Sequence, residues 1–149
     1  MPSRRELIQM IDEELDSFLD EQRVVTCATI GPNGRPHLMP LWYVVDDREL
    51  RGWTYAKSQK AKNLERDPRA TLQIEAGVEY HELRGVMMEC DAELVREDVE
   101  AFGTALFARY APGVDVGDMI RQQAPKRVGL RFTPTRTVTW DHGKLKGTY

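Results

Sequence analysis

A succession of short strand-like segments, most separated by nothing longer than a turn, constrains this chain more than any other feature. Residues 24–30 are rich in β-branched side chains. Gly31-Pro32-Asn33-Gly34 follows as a strong turn. Residues 36–45 read as a second strand, apolar nearly throughout, and Asp46-Asp47 turns the chain into a third at 49–55. These three are expected to form a meander. Residues 70–76 alternate Thr71, Gln73 and Glu75 with Leu72, Ile74 and Ala76. Residues 83–94 make a long strand in which Gly85 marks a bulge or a close approach. Residues 128–132 and 137–140 close the series around Thr133-Pro134-Thr135. Strands this numerous and this consecutive favour an antiparallel sheet that closes into a small barrel, with a β-sandwich as the alternative.

Helices fill the remaining segments. Ser3 and Glu6 form a capping box, and Leu7, Ile11, Leu15, Phe18 and Leu19 then recur at helical spacing. A second amphipathic stretch, 97–110, places Val99, Phe102, Leu106 and Tyr110 on one face. One or two helical turns follow within 116–123. The 149 residues, without linker or repeat, are expected to form one domain, 1–149.

The net charge is −3, from 24 acidic and 21 basic residues, whereas nucleic-acid binders carry a basic excess. The start lacks the apolar core of a signal peptide, and no apolar run approaches the ~18 residues of a membrane span. The expectation is a cytoplasmic protein with neither nucleic-acid nor membrane partners. Cys27 and Cys90, without metal-type spacing, read as buried reduced thiols.

The segment from Trp53 to Pro68 is the most informative about function. A strand ends in aromatic residues, and a helix begins at Ser58 and stops before Pro68. Lys57, Lys60 and Lys62 crowd the start of that helix. Free backbone N–H groups and the positive end of the macrodipole already sit there, so added cations weaken the helix unless an anion is close. The reading is a phosphate site. Taken singly, lysines on a short helix are a solvated face and Ser58 is an ordinary cap; it is the ordered combination that points to a ligand. No Ser-His-Asp order, metal-ligand cluster or Gly-rich nucleotide loop emerges, so no metal is expected.

From about residue 24 to the C-terminus the chain resembles the split β-barrel flavoproteins related to pyridoxamine 5'-phosphate oxidase, including the flavin- and deazaflavin-dependent oxidoreductases. Three segments carry the resemblance: Gly34-Arg35-Pro36-His37, then Trp53-Thr54 with Ser58-Gln59-Lys60-Ala61-Lys62-Asn63-Leu64 and Asp67-Pro68-Arg69, and finally Trp140-Asp141-His142-Gly143-Lys144-Leu145. It implies a mainly β fold with flanking helices, an antiparallel six- to seven-stranded split β-barrel, assembled as a homodimer whose cofactor sites are lined by both subunits. It also implies that Thr54, Lys57, Ser58 and Lys60 hold the cofactor phosphate.

The oxidase pattern has an arginine where this chain has Gln59, and another where it has Met39 or its neighbours. The pattern is therefore closer to the subgroup that uses coenzyme F-420, a deazaflavin, with FMN as the second choice and Lys57 compensating. Met39, Pro40, Leu41 and Trp42 are the candidate wall of the ring slot, and Pro40, which donates no hydrogen bond, marks an edge or a bulge there. His142, beside Asp141, is the candidate proton donor, reaching a second subunit's site. The implied function is an oxidoreductase moving a hydride between a flavin-type cofactor and a small organic substrate; the alternative is a non-enzymatic module of the same fold that binds or stores the cofactor or haem.

Overall fold

The computed structural model describes residues 1–148 and contains a seven-stranded antiparallel sheet. The strands are β1 (Val25–Ile30), β2 (Pro36–Leu41), β3 (Val44–Asp46), β4 (Glu49–Tyr55), β5 (Arg69–Ala76), β6 (Arg84–Val95) and β7 (Arg127–Asp141). Their spatial order is β2-β1-β5-β6-β7-β4-β3. β2 and β3 therefore occupy opposite edges, yet only Trp42 and Tyr43 separate them in the chain. A flat sheet of this width would hold its edges roughly 30 Å apart, whereas three residue steps span at most about 10 Å. The sheet must curl until its edges nearly meet. No ladder joins β2 to β3 among the described residues, so the curl stays split along that line.

Alternation supplies the core. Val25 and Cys27 of β1, Leu72 and Ile74 of β5, Val86, Met88 and Cys90 of β6, Leu50 of β4, and Leu130 and Phe132 of β7 all point inward. The helix α2 (Asp12–Glu21) adds Phe18 and Leu19 to this cluster. A second cluster lies outside the sheet, where α4 (Val99–Tyr110) and α5 (Gly117–Gln123) cover Trp53 with Leu106 and Ile120. Glycine makes that close approach feasible. A Cβ at Gly103 would sit 2.6 Å from the Trp53 ring. Gly103→Ala is expected to lower stability by about 1–2 kcal/mol, although alanine is the better helix former; thermal denaturation of the variant checks the sign.

Both cysteines are free and buried. Burial pushes the Cys27 thiol up to about 11 and the Cys90 thiol up to about 12. Neither should label with a maleimide in the native protein near neutral pH, and both should label once it is unfolded.

Three sequence expectations about the sheet need correction. The second strand does not run unbroken over 36–45. It divides at Trp42-Tyr43, because the Tyr43 hydroxyl is drawn inward to donate to the Leu19 carbonyl (2.6 Å) and the Gln22 carbonyl (2.9 Å). The expected meander fails for the same reason: β4 pairs with β3 and β7 rather than with β2. The two closing strands are one, since β7 continues through Pro134. Its register with β6 shifts between Glu89 and Cys90, so the residue without an N–H falls at a bulge, where the ladder is already interrupted.

The N-terminal helix is also interrupted, leaving α1 (Arg4–Leu7) and α2. Between them the chain lies along β7: Asp141 N donates to Ile8 O at 2.7 Å and Met10 N to Thr139 Oγ1 at 2.9 Å. The Ser3–Glu6 capping box is present, and Gly85 is the close approach, with the Trp140 ring against it.

Candidate functional site

The helix α3 (Gln59–Arg66) plugs one end of the curled sheet, between β1, β4 and β6. Ser58 is its N-cap, with extended backbone and a hydroxyl accepting from Ala61 N at 3.1 Å. The Thr54 hydroxyl lies 3.4 Å from that of Ser58. The amides of Gln59 and Lys60 have no acceptor among the described residues, as expected for a first helical turn.

Four polar or charged residues are buried among those described: Thr29, Thr54, Lys60 and Asn63. All four belong to this end of the molecule. Burial of polar groups costs free energy unless each finds a partner. Thr29 and Asn63 satisfy each other, with Asn63 Nδ2 donating to Thr29 Oγ1 at 3.0 Å. Gln59 Nε2 donates in turn to Asn63 Oδ1 at 2.7 Å.

Lys60 does not fit that pattern. It is 6% exposed and forms no ion pair among the described residues. Burial lowers its pKa from the ordinary lysine value, and the nearby Cys27 opposes this. A lysine packed in this way, with its stem buried and no counter-charge beside it, is a candidate anion site. Lys57 and Lys62, by contrast, are exposed.

The ring-wall candidates divide between two faces. Met39 lies opposite Cys27 and Leu41 opposite Val25, so both share the inner face of the sheet with the residues beside Lys60. Pro40 lies opposite Thr26 on the outer face. Trp42 sits beyond the strand, stacked on Tyr110 with ring centroids 4.4 Å apart. β2 is an edge strand, the setting that a mid-strand proline signals. Leu38, Met39 and Trp42 at or just beyond this edge are exposed, as are Val45 of β3 and Tyr55 at the end of β4.

His142 opens a short 3-10 helix, Tyr80 packs against its ring edge, and its Nδ1 is buried without a partner. It lies at the opposite end of the 15-residue β7 from the strand end that pairs with Tyr55. Within one chain it does not reach the start of α3.

Sequence reasoning passed over Thr29, Asn63 and Arg127. The Arg127 guanidinium lies 3.7 Å over the Tyr55 ring, beside the loop that carries Lys57. The basic pair Lys126-Arg127 was visible, but only the pairing of Tyr55 with Arg127 brings it to this loop. A cleft of about 720 Å³ lies elsewhere, between Arg5, Leu15, Arg48, Met88 and Thr137, and holds none of the candidate residues. Among the described residues no cluster of three or more metal-ligating side chains occurs, and no helix is long and apolar enough to cross a membrane.

Residues 11–141 match the family model described as pyridoxamine 5'-phosphate oxidase. The chain is 42% identical to the conserved hypothetical protein Rv2991 from Mycobacterium tuberculosis, over 99% of this chain and 95% of that one, with a TM-score of 0.90. An F-420 reductase superimposes with a TM-score of 0.68 at 23% identity, over 82% of this chain and 94% of that one. HutZ, the haem storage protein from Vibrio cholerae, also gives 0.68, at 18% identity, over 89% of this chain and 97% of that one. No curated protein sequence matches. The last two likenesses speak to fold alone; the family match across most of the chain and the first structure together establish that this chain belongs to the pyridoxamine 5'-phosphate oxidase-like family of split β-barrel proteins.

Proposed function

We propose that this protein is an oxidoreductase that binds a phosphate-bearing flavin-type cofactor, coenzyme F-420 in preference to FMN, and moves a hydride between it and a small organic substrate. One observation carries the reading: the buried Lys60 side chain, without an ion pair among the described residues, at a helix start whose Gln59 and Lys60 amides are free. The ammonium, the Gln59 and Lys60 amides, and the hydroxyls of Ser58 and Thr54 would hold the phosphate. Each charge-assisted bond of this kind contributes roughly 1.5–3 kcal/mol. Met39 and Leu41 would flank the ring from the edge strand, with Trp42 at its far end. A bound flavin or deazaflavin supplies the redox chemistry itself. The chain's own part is to fix the phosphate, orient the ring and keep water from one face of it. The exposed apolar residues Leu38, Met39 and Trp42 would be covered by a second copy of this chain, and His142 of that copy is our candidate proton donor.

The competing reading is a module that stores the cofactor or haem. The buried, unpartnered Nδ1 atoms of His37 and His142 favour it, since haem iron takes imidazole nitrogen. Titrating the purified protein with coenzyme F-420, FMN and haem separates the two. The expected result is a saturable change in the deazaflavin band near about 420 nm, or the flavin band near about 450 nm, followed by substrate-dependent bleaching of the reduced or oxidised form. A Soret shift with haem, and none with the other two, would overturn the oxidoreductase reading.

A further inference from the structure

The cleft between α2, β7 and the β3–β4 hairpin has the make-up of a ligand site. Its volume of about 720 Å³ falls within the roughly 300–1,000 Å³ of small-molecule pockets. Leu15 and Leu19 line it from α2, and it reaches down to the core, where Met88 is 2% exposed. Thr137 stands opposite Met88 in the β6–β7 register and so shares the inner face of the sheet. Further along β7 that face carries Leu130 and Phe132. The Thr139 hydroxyl accepts from Met10 N at 2.9 Å, whereas the Thr137 hydroxyl has no hydrogen-bond partner among the described residues.

The charges around the cleft do not all cancel within the chain. Asp12 and Asp16 share Arg48, at 3.3 and 3.8 Å. Glu49 is held by Arg131 at 3.0 Å and by Arg51 at 3.2 Å. Arg136 has Glu89 at 3.5 Å. Arg5 of α1 and Asp47 at the hairpin tip form no ion pair among the described residues. The cleft therefore offers an anion one open pole, at Arg5, and repels it from the other.

We propose that this cleft is a second binding site, independent of the phosphate site at α3, and that it takes an amphipathic monocarboxylate. The chain of such an acid lies on Leu15, Leu19 and Met88, and its carboxylate meets the Arg5 guanidinium and the Thr137 hydroxyl. A guanidinium holds a carboxylate through two parallel N–H donors, which sets the head group at that pole. Each methylene added to the chain raises affinity by up to about fourfold while apolar surface remains to be covered.

Isothermal titration of the full-length, ligand-free protein with octanoate, hexanoate, octanol and octylamine provides the test. Octanoate should bind saturably, one per chain, and hexanoate at least about fivefold more weakly. Octanol and octylamine should each bind at least about tenfold more weakly than octanoate, because neither brings an anion to Arg5. Arg5→Gln, at an exposed position, should weaken octanoate by at least about fivefold and leave octanol unchanged. Thr137→Trp, also at an exposed position, should fill the cleft and abolish octanoate binding; if melts show that it does not fold, Arg5→Gln decides alone. Absence of saturable octanoate binding, octylamine binding as tightly as octanoate, or an unchanged octanoate affinity in Arg5→Gln or in folded Thr137→Trp would overturn the proposal. The coenzyme titration reads the α3 site separately, and neither substitution should alter it.

Discussion

Lys60→Met should weaken coenzyme binding by more than tenfold while leaving the ligand-free protein as stable as the parent or more so. The two effects have one cause. In the free protein Lys60 is largely buried and has no counter-charge among the described residues, and this desolvation disfavours its charged form, so it costs stability. Methionine keeps the buried stem and removes the charge, so the apo fold loses that penalty. The bound state loses a charge-assisted bond to phosphate, and tenfold in Kd corresponds to about 1.4 kcal/mol.

The pH dependence gives a second signature. Burial depresses the Lys60 pKa in the native state, so the unfolded chain holds that proton more tightly. Apo stability should therefore rise as pH climbs from the depressed value towards the ordinary lysine value of about 10.4, and Lys60→Met should remove that rise. Isothermal titration and thermal melts on the same two proteins check both arms. A variant that binds normally, or one whose apo form is clearly less stable, would mean that Lys60 is structural.

Arg109→Ala should lower stability by about 3 kcal/mol, which for a chain of this length is on the order of 10 °C in Tm. Arg109 stands on α4 and collects the loose carbonyls at the end of α2: its Nη2 donates to Leu19 O (3.1 Å), Asp20 O (2.9 Å) and Gln22 O (2.7 Å). Its Nη1 reaches Tyr43 O and the Tyr110 hydroxyl. The guanidinium also lies 4.6 Å over the Tyr43 ring. One side chain thus ties the last turn of α2, the crossover between the two sheet edges and α4 together. Hydrogen bonds from a charged donor contribute roughly 1.5–3 kcal/mol each but do not add fully within one network. Arg109→Lys should recover less than half of the loss, because an ammonium cannot present a planar fork of donors. A Tm within about 2 °C of the parent for Arg109→Ala would show these bonds to be readily replaced by water.

Local chemistry made much of the architecture legible. The alternation in 70–76, the turn at Gly31–Gly34 and the Ser58 cap each express a rule that acts over a few residues, and each element is present where those rules put it. The errors fall where a distant partner overrides the local signal. Apolar spacing continues through Ile8 and Ile11, but β7 captures the intervening backbone, and the helix breaks. Pro134 resembles a turn, but a bulge opposite Glu89 and Cys90 absorbs it.

The sequence by itself determined that strands dominate, that a short helix begins at Ser58 and that cations gather there, because capping, alternation and charge are properties of neighbouring residues. It could not determine which lysine loses its water, or which hydroxyl meets Asn63. Lys60 is buried and Lys57 is not because α3 turns one face onto β1, and Thr29 meets Asn63 across 34 residues of chain only once the sheet has curled. Desolvation depends on what packs around a group, and that is settled by the tertiary structure alone.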